Sequence, residues 1–538
     1  MEAPVPESIV RGPALERHHD GLTYTHVLEA TARAAPEVRQ TYWSDGIRTG
    51  TTLGELRRQG LHLARAFHAL GIRRGDRIAI QMPNRHETAI AYRACFALGA
   101  CLVPITHIYG ATEVTYILQN SRARLLIVPD RWRSVDFVDR VASLGPCPDL
   151  AHVLFVGTDG IAGSLRWDAV MADTHEDCDM PSGSVDDPVL LLYTSGTTAA
   201  PKGVIHSSRS LLGELDQRLM AGESAQDTTF SCWPAGHIGG FSSLVFPQLI
   251  GGRSILMDRW SPEDGVRLMA EYEVSRSAGV PVFLIELLDT ARRIGIELPA
   301  LNSYMSGGAN VPPELVEEAE RAGIAVYRCY GSTEHPTVTG SSPRAPLYDR
   351  AYTDGPVLPG CEVRLIDEDG RDVAGSGEGE IVTRGAELFA GYLDPELNRD
   401  AFLEDGWFRT GDIGRFDENR LVITDRKKDI IIRGGENISS KEVEDVLSNH
   451  PAVMEAAAFA IPHPRLGEGV AIAVRLREGA GLTLGEVSTH FAQAGIARQK
   501  VPERLVVLDD MPRTGSGKVK KYELRQRFAD PGGEQGAG

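Results

Sequence analysis

The chain has 538 residues, a length at which a single hydrophobic core stops growing, so two or more domains are expected. Its formal net charge of −18 argues against a nucleic-acid partner, because contact with phosphates needs a basic surface. The seven cysteines are scattered without a CxxC pair, and no apolar stretch is long enough for a membrane span or a secretory signal. We therefore expect a cytoplasmic protein without disulfides or a zinc site.

The first 330 residues alternate between helical and strand patterns. The predicted order is helix 53–70, strand 76–81, helix 87–98, strand 100–105, helix 113–120 and strand 124–128. Repeated β-α-β order predicts parallel sheets covered by helices. Residues 159–187 are polar and weakly patterned and are predicted to form loop and hairpin, after which the alternation resumes through about Tyr330.

An apolar run at residues 190–193 predicts a buried parallel strand. It ends in the sequence TSGTTAAPKG at residues 194–203. Small residues let backbone N–H groups approach an anion, hydroxyls add donors, and Lys202 adds a positive charge. The segment differs from a Walker loop because Pro201 precedes the lysine and Gly203 follows it. This composition predicts a phosphate-binding loop.

Beyond Asp354 the pattern changes to short strands separated by Gly, Pro and Asp turns. Strands are predicted at 361–366, 379–384, 415–417 and 420–424, which together indicate a small β-rich subdomain. A compact unit follows from Lys427, with a helix at 440–448 and strands at 453–461 and 470–477. The tail 531–538 is predicted to be disordered.

Further motifs follow the phosphate loop along the chain. They are WPAGHIGG at 233–240, SGGAN at 306–310, YGSTE at 330–334, WFRTGD at 407–412 and PRTGSGK at 512–518. Taken singly, each is typical of an ordinary turn. Together they resemble the adenylate-forming superfamily of acyl-CoA ligases, peptide-synthetase adenylation domains and luciferases, over roughly residues 53–521. We interpret the chain as an acyl-CoA ligase.

The resemblance implies which residues bind the nucleotide. That set is Thr194, Ser195, Gly196, Thr197, Thr198, Lys202, Gly308, Ala309, Tyr330, Gly331, Ser332, Asp412 and Arg426. Tyr330 would stack on the adenine, and Asp412 would bind the ribose with Arg426 beside it. Ser332 departs slightly from the family, which commonly has a larger residue there.

The resemblance also implies the catalytic residues, which are Lys518, Thr333, Glu334 and His237. Lys518 would neutralise charge between the acid and the phosphates, since a carboxylate does not readily attack a polyanion. Thr333 would bond near the α-phosphate. Glu334 would hold Mg²⁺, a hard cation that prefers oxygen ligands.

The acyl and CoA sites follow from the same resemblance. The acyl pocket would be formed by His237, Gly239, Gly307 and Gly308, and Gly239 with Gly240 favours a wide pocket for a bulky apolar acid. Lys428 would be the hinge for a rotating C-terminal domain. In its second pose Gly434 and Gly435 would line the CoA tunnel.

One position departs from the family in a way that bears on chemistry. The family loop reads Thr-Ser-Gly-Thr-Thr-Gly, and this chain has Ala199 at the second glycine. Alanine held at positive φ costs on the order of 1–2 kcal/mol, and its methyl group would obstruct the β- and γ-phosphates. Two interpretations stay open. In the first, the substitution is tolerated and ATP binding is slightly weaker. In the second, the enzyme mainly converts a preformed acyl-adenylate to acyl-CoA.

The predicted fold is α/β, with a large N-terminal domain (1–426) of stacked sheets plus a small β subdomain. A small mobile α+β domain (427–530) completes it. The predicted function is ligation of an acid to CoA through an acyl-adenylate. The ligands are ATP or AMP, CoA, Mg²⁺ and the acid or its adenylate. Alternatives are an adenylation enzyme that loads a carrier protein and a non-enzymatic nucleotide binder. The oligomeric state is left open, a homodimer included.

Overall fold

The computed structural model describes residues 9–44, 46–173, 183–194, 201–373, 377–433, 436–514 and 517–529. Within these ranges, no helix combines the length and the apolar character that crossing a lipid bilayer requires.

The elements up to the predicted phosphate loop alternate as expected. They are β1 (Ile9–Arg11), α1 (Tyr24–Ala34), β2 (Arg39–Ser44), β3 (Ile47–Thr52), α2 (Leu53–Ala69), β4 (Arg77–Ile80), α3 (His86–Leu98), β5 (Cys101–Pro104), α4 (Ala111–Ser121), β6 (Leu125–Pro129), β7 (Arg131–Trp132), β8 (Val135–Asp136), α5 (Phe137–Ala142), β9 (His152–Val156), β10 (Leu165–Arg166), α6 (Trp167–Ala172) and β11 (Pro188–Thr194).

A second stretch of helices and strands leads to the small β-rich part. It contains β12 (Lys202–Ser207), α7 (Ser208–Met220), β13 (Thr228–Ser231), α8 (Ile238–Ile250), β14 (Arg253–Met257), α9 (Pro262–Glu271), β15 (Arg276–Gly279), α10 (Pro281–Ile294), β16 (Ser303–Ser306), α11 (Pro313–Arg321), β17 (Val326–Tyr330), β18 (Thr339–Gly340) and α12 (Leu347–Tyr352).

The remaining elements form the β-rich part and the C-terminal unit. They are β19 (Cys361–Ile366), β20 (Gly379–Gly385), β21 (Gly391–Tyr392), α13 (Pro395–Ala401), β22 (Phe408–Asp417), β23 (Arg420–Arg426), β24 (Ile431–Arg433), β25 (Glu436–Ile438), α14 (Ser440–Ser448), β26 (Val453–His463), β27 (Gly467–Leu476), α15 (Leu484–Gln493), a 3₁₀ turn (Arg498–Lys500), β28 (Arg504–Val507) and α16 (Lys521–Phe528).

Local sequence signals account for the helix boundaries. Helix α2 starts at a capping box, in which Thr52 Oγ1 accepts from Glu55 N and Glu55 Oε2 accepts from Thr52 N. Helix α3 ends at Gly99, whose φ of +68° suits a residue without a side chain. Helix α3 is buried over most of its length, which indicates that it lies inside the molecule.

Two large sheets carry most of the molecule. Their strand orders are β10-β9-β6-β4-β5-β11-β12-β21 and β18-β17-β16-β15-β13-β14-β2-β3. One apolar core contains residues of both sheets, such as Leu102 of the first and Leu256 of the second, together with helices α1, α2, α3, α7 and α8. Helices therefore lie between the sheets, and the predicted α/β class is confirmed.

The strand before the phosphate loop is parallel to only one of its neighbours. Strand β11 pairs in parallel with β5 through Leu190 and Leu102, but it is antiparallel to β12, where Thr194 lies opposite Lys202. The prediction of a parallel strand was therefore half right. Because both faces of β11 are buried, its sequence is uniformly apolar whichever way its neighbours run.

Two local predictions were wrong. Within the segment predicted as loop and hairpin, β10 pairs in parallel with β9, and α6 follows it with Trp167 and Val170 buried. The helix is one short amphipathic turn, which leaves little periodic signal. Strand β22 begins at Phe408 rather than Arg415, so Asp412 lies inside a strand and not in a turn.

The smaller sheet has the order β1-β19-β20-β22-β23. The C-terminal unit has its own sheet, β25-β24-β27-β26, with β28 parallel to β27. Helices α14 and α15 share an apolar core on one face of this sheet, and α16 packs on the other. The predicted boundary near residue 427 stays a prediction, and the tail 531–538 lies outside the described residues.

Candidate active site

A buried carboxylate in the small sheet contacts the ends of two neighbouring strands, β17 and β23. Asp412 of β22 is 4% exposed and lies directly opposite Arg426, the last residue of β23. Asp412 Oδ1 accepts from Arg426 Nε at 2.5 Å, and Oδ2 accepts from the hydroxyl of Tyr330 at 2.8 Å. Burial and the neighbouring Asp412 carboxylate raise the pKa of Tyr330 well above its ordinary value. These three predicted nucleotide residues therefore form one network.

The backbone near Asp412 explains how its carboxylate is aimed. Gly411 has a φ of +72°, a conformation that glycine adopts readily, and the ladder to β23 shifts register between Ile413 and Gly414. The hydroxyl of Thr410 accepts from the backbone N–H of Asp412 at 3.1 Å. This irregularity orients Asp412 toward Tyr330 and Arg426.

The Thr333–Glu334 turn is held from the neighbouring large sheet. Glu334 Oε1 accepts from the hydroxyl of Tyr392 at 2.8 Å, and the Lys202 ammonium lies 5.1 Å from the centroid of the Tyr392 ring. The backbone oxygen of Thr333 lies 2.8 Å from Nε2 of His206. Lys202, Thr333 and Glu334 are thus brought to one place, as predicted.

Sequence reasoning missed Tyr392 and His206. Both belong to strands whose buried side chains look like ordinary core, and each is more than 50 residues from the turn that it contacts. Burial lowers the pKa of His206 to about 4, so the imidazole is neutral at pH 7. In the sequence, the only feature that could have drawn attention to Tyr392 is its position directly after Gly391.

The Lys518 side chain enters the same cleft from the C-terminal unit. A Cβ built on Gly308 would lie 3.4 Å from Lys518 Cε, and Gly308 has a φ of +75°. Burial, followed by the positive charge of Arg426, lowers the pKa of Lys518 to about 8, against the opposite influence of Asp412 and Glu334. Lys518 therefore shares one electrostatic environment with the predicted nucleotide and metal residues.

His237 lies near this lysine, whose charge acts on the imidazole. It is the N-cap of α8, and its Nε2 lies 3.3 Å from the hydroxyl of Thr106. Burial, and then the charge of Lys518, lower the pKa of His237 to about 4. The imidazole is therefore uncharged at pH 7 and adds a polar but neutral group near Lys518.

Gly239, Gly240 and Gly307, near the predicted acyl pocket, do not leave open space. A Cβ on Gly239 would lie 2.0 Å from the indole ring of Trp233, and one on Gly240 would lie 1.9 Å from the backbone oxygen of Pro234. A Cβ on Gly307 would lie 2.6 Å from Sγ of Cys329. The inference of a wide pocket from Gly239 and Gly240 was therefore wrong, because those positions are glycine for close packing.

The remaining predicted residues have the following surroundings. Gly308 and Ala309 are exposed beside Lys518. The backbone N–H of Ser332 donates to the backbone oxygen of His335 at 2.8 Å, within the same turn. Gly331 packs against the backbone of Pro336.

Lys428, the predicted hinge residue, is exposed just after β23. Its backbone oxygen accepts from Arg525 Nη1 at 3.2 Å.

Some of the predicted residues lie outside the described part of the chain. They are Ser195, Gly196, Thr197, Thr198, Ala199, Gly434 and Gly435. Their flanking residues Thr194 and Lys202 face each other across β11 and β12.

Comparison with known proteins defines the class. The profile of the AMP-binding enzyme family matches residues 28–393, and that of the AMP-binding enzyme C-terminal domain matches residues 442–518. The chain therefore belongs to the AMP-binding enzyme family, and the resemblance to the adenylate-forming acyl-CoA ligases is confirmed.

Individual relatives cover almost the whole chain. The medium-chain fatty-acid–CoA ligase of Escherichia coli is 34% identical over 93% of this chain and 89% of its own length. The indoleacetate–CoA ligase of Aromatoleum aromaticum is 32% identical over 87% of this chain and 91% of its own. The o-succinylbenzoate CoA synthetase of Bacillus subtilis, solved with its acyl-adenylate intermediate, has a TM-score of 0.79 at 27% identity and covers 93% of this chain and 97% of its own.

Proposed function

We propose that this protein joins an apolar carboxylic acid to CoA through an acyl-adenylate. A carboxylate oxygen would attack the α-phosphorus of ATP, and the bond to the leaving pyrophosphate would break. The CoA thiol would then attack the acyl carbonyl, AMP would leave, and the thiol proton would pass to solvent. The supporting observation is that Tyr330, Asp412, Arg426 and Lys518, from separate parts of the chain, converge on one cleft.

The nucleotide would bind along the edge formed by β17, β22 and β23. A carboxylate has about four acceptor sites, and Asp412 uses two of them for Tyr330 and Arg426, so two remain for the ribose hydroxyls. The exposed backbone of Gly308 and Ala309 would allow the adenine to lie beside the Tyr330 ring. Thr194, Lys202 and the residues between them would contact the phosphates.

Glu334 fits the role of a Mg²⁺ ligand. Its carboxylate accepts from Tyr392 through one oxygen and retains acceptor capacity for a hard cation. A Mg²⁺ ion held there would neutralise phosphate charge. Lys518 would supply positive charge from the opposite side, where a carboxylate approaches a polyanion.

An apolar acid is favoured by the uncharged groups near Lys518. His237 is neutral, and Val280 and Phe283 pack against the backbone of Gly517, next to Lys518. Relatives named for a medium-chain fatty acid, indoleacetate and a methylated naphthoate are all 30–34% identical to this chain. Overall identity therefore does not select the acid, and the proposal covers aliphatic and aromatic acids.

CoA would enter after the C-terminal unit has moved. We propose that residues 427–530 rotate about Lys428, so that Gly434 and Gly435 replace Lys518 at the cleft. The exposed position of Lys428 immediately after β23 supports a pivot there.

We also propose a cytoplasmic location. It is supported by the cysteines, since those within the described residues are all free.

Ala199 supports a second candidate function. If its methyl group obstructs the β- and γ-phosphates, the enzyme would complete the thioester from a preformed adenylate while forming the adenylate poorly. A third alternative is an enzyme that forms the same acyl-adenylate but transfers the acyl group to a carrier protein instead of CoA. An assay in which a carrier protein replaces CoA distinguishes this alternative from a CoA ligase.

The two half-reactions test these proposals. We expect apolar acids with Mg-ATP and CoA to yield acyl-CoA and AMP, detected by mass spectrometry. Lys518→Ala should slow adenylation by roughly 10²–10³-fold while synthetic acyl-adenylates still react with CoA. Lys520→Ala is the matched control, because Lys520 bonds to Glu523 at 2.7 Å.

Equal loss of both half-reactions in Lys518→Ala would contradict the assigned role. For Ala199, normal AMP release by the unmodified enzyme would rule out the second candidate function. Faster adenylation in Ala199→Gly, with an unchanged thioester step, would support it.

A further inference from the structure

Behind the Thr333–Glu334 turn lies a buried group of three different ligand types. His335 and Cys361 are each 1% exposed, and the Glu387 side chain is 0% exposed. His335 Nε2 lies 3.2 Å from Glu387 Oε1 and 3.8 Å from Cys361 Sγ, and Cys361 Sγ lies 2.7 Å from Glu387 Oε1. We propose that His335, Cys361 and Glu387 bind one Zn²⁺ ion, a site distinct from the nucleotide cleft.

The spacing of the donor atoms suits a tetrahedral ion. Zinc bonds of about 2.0–2.1 Å to nitrogen or oxygen and about 2.3 Å to sulfur place tetrahedral ligands roughly 3.3–3.6 Å apart. Two of the three separations, 3.2 and 3.8 Å, are already near that range. The third, 2.7 Å, is short because the Cys361 thiol donates to the Glu387 carboxylate. Gln217 Nε2 also donates to Glu387 Oε1 at 2.8 Å and to Cys361 Sγ at 3.2 Å. Coordination would replace the thiol proton by the metal, release it to solvent and displace these two amide hydrogen bonds.

Two further contacts support ligation by these residues. Nδ1 of His335 lies 2.8 Å from the hydroxyl of Thr383, which turns Nε2 toward the cysteine and the glutamate. The second carboxylate oxygen of Glu387 is buried and has no hydrogen-bond partner among the described residues. That oxygen gives Glu387 a second donor atom toward the ion, since carboxylates also bind metals through both oxygens.

The charges of the proposed ligands would also balance the charge of the zinc ion. A thiolate from Cys361 and a carboxylate from Glu387, with a neutral His335 imidazole, carry two negative charges against the two positive charges of zinc. A buried group of this kind avoids the cost of an uncompensated charge. The set of one sulfur, one nitrogen and one carboxylate is typical of zinc rather than of Mg²⁺, which prefers oxygen alone.

The site would connect parts of the chain that surround the active site. His335 follows Glu334 directly, Cys361 begins β19, and Glu387 lies between β20 and β21, just before Tyr392, the residue that bonds Glu334. Zinc would therefore cross-link the turn that carries Glu334 to the segment that positions it. Scattered single cysteines and the lack of a CxxC pair concealed this arrangement in the sequence.

Metal analysis of the full chain tests the proposal. The protein is produced with and without zinc supplementation, dialysed, and analysed by inductively coupled plasma mass spectrometry. We expect about one zinc per chain and a higher unfolding temperature in the zinc-loaded protein. Cys361→Ser should lose the zinc, whereas Cys232→Ser, which changes a buried cysteine just after β13, should keep it.

A second measurement does not depend on the variant folding. The wild-type protein is refolded with Co²⁺, which takes zinc sites and shows an intense thiolate-to-metal absorption band when cysteine is a ligand. A band that saturates at one equivalent supports the site. The absence of any thiolate band, or of bound zinc in the supplemented wild-type protein, would overturn the proposal, as would full zinc retention by Cys361→Ser.

Discussion

At the scale of single residues, the environment decides what a lysine or a histidine can do. Lys518 and His237 share one cleft, and burial moves both pKa values downward, to about 8 and about 4. A lysine with this pKa is still largely protonated at pH 7, whereas the histidine is neutral. The cleft therefore has a positive charge at Lys518 and an uncharged imidazole, that of His237, near it.

The lowered pKa of Lys518 predicts a pH dependence. The protonated ammonium is the form that neutralises negative charge, and it is lost as the pH rises through about 8. We expect kcat/KM for adenylation, which reports the free enzyme, to fall about tenfold per pH unit above that value. The measurement is pyrophosphate release between pH 6 and pH 10.

The thioester step from a synthetic adenylate is the internal control, since Lys518 would have left the cleft by then. An adenylation profile that stays flat to pH 10 would show that another group supplies the charge.

At the scale of elements, a cross-strand pair lies at the centre of the proposed nucleotide site. Asp412 and Arg426 face each other across β22 and β23, and Tyr330 reaches Asp412 from the end of β17. None of these strands provides the network alone. Cross-strand register places the carboxylate and the guanidinium together, which a one-residue shift would abolish.

Removing the Asp412 charge tests this pair. In Asp412→Asn we expect the affinity for AMP to fall roughly 10- to 100-fold, because hydrogen bonds to charged groups contribute about 1.5–3 kcal/mol. Isothermal titration calorimetry measures the change. Glu380→Gln is the matched control, because Glu380 is a similarly buried carboxylate that bonds Arg409 on the same sheet.

Both variants remove the charge of a buried carboxylate that bonds an arginine, so a general loss of stability affects them alike. Equal weakening of AMP binding in the two variants would argue against a ribose-binding role for Asp412.

At the scale of the whole molecule, a few polar contacts hold the C-terminal unit in the pose that delivers Lys518. Asn310 Nδ2 donates to Asp445 Oδ1 at 2.6 Å, and Arg475 Nη2 donates to Glu286 Oε1 at 3.3 Å. Such contacts between partly exposed groups contribute only about 0–1 kcal/mol each. They stabilise this pose without locking it, which suits the rotation that we propose for this unit.

Weakening these contacts should therefore shift the balance between the half-reactions. In the double variant Asp445→Ala and Arg475→Ala we expect adenylation to slow by roughly two- to fivefold, while the thioester step is unchanged or faster. Stopped-flow assays of each step measure this. Lys500→Ala, which breaks a contact with Glu442 inside the C-terminal unit, is the control. An equal slowing of both steps would contradict the inferred role.

The sequence by itself determined the class of the enzyme and the alternation of elements, and it proposed the nucleotide-binding set. Short-range signals were sufficient there: helix 440–448 and strand 361–366 follow from local periodicity and turn residues, and small residues with a lysine predict phosphate binding. Only the tertiary structure decided what occupies the space beside a glycine, as Trp233 does at Gly239. It also decided that Tyr392 bonds Glu334 and that Cys361 adjoins His335 and Glu387. Those facts depend on contacts between residues far apart in the chain, which packing sets and local patterns do not encode.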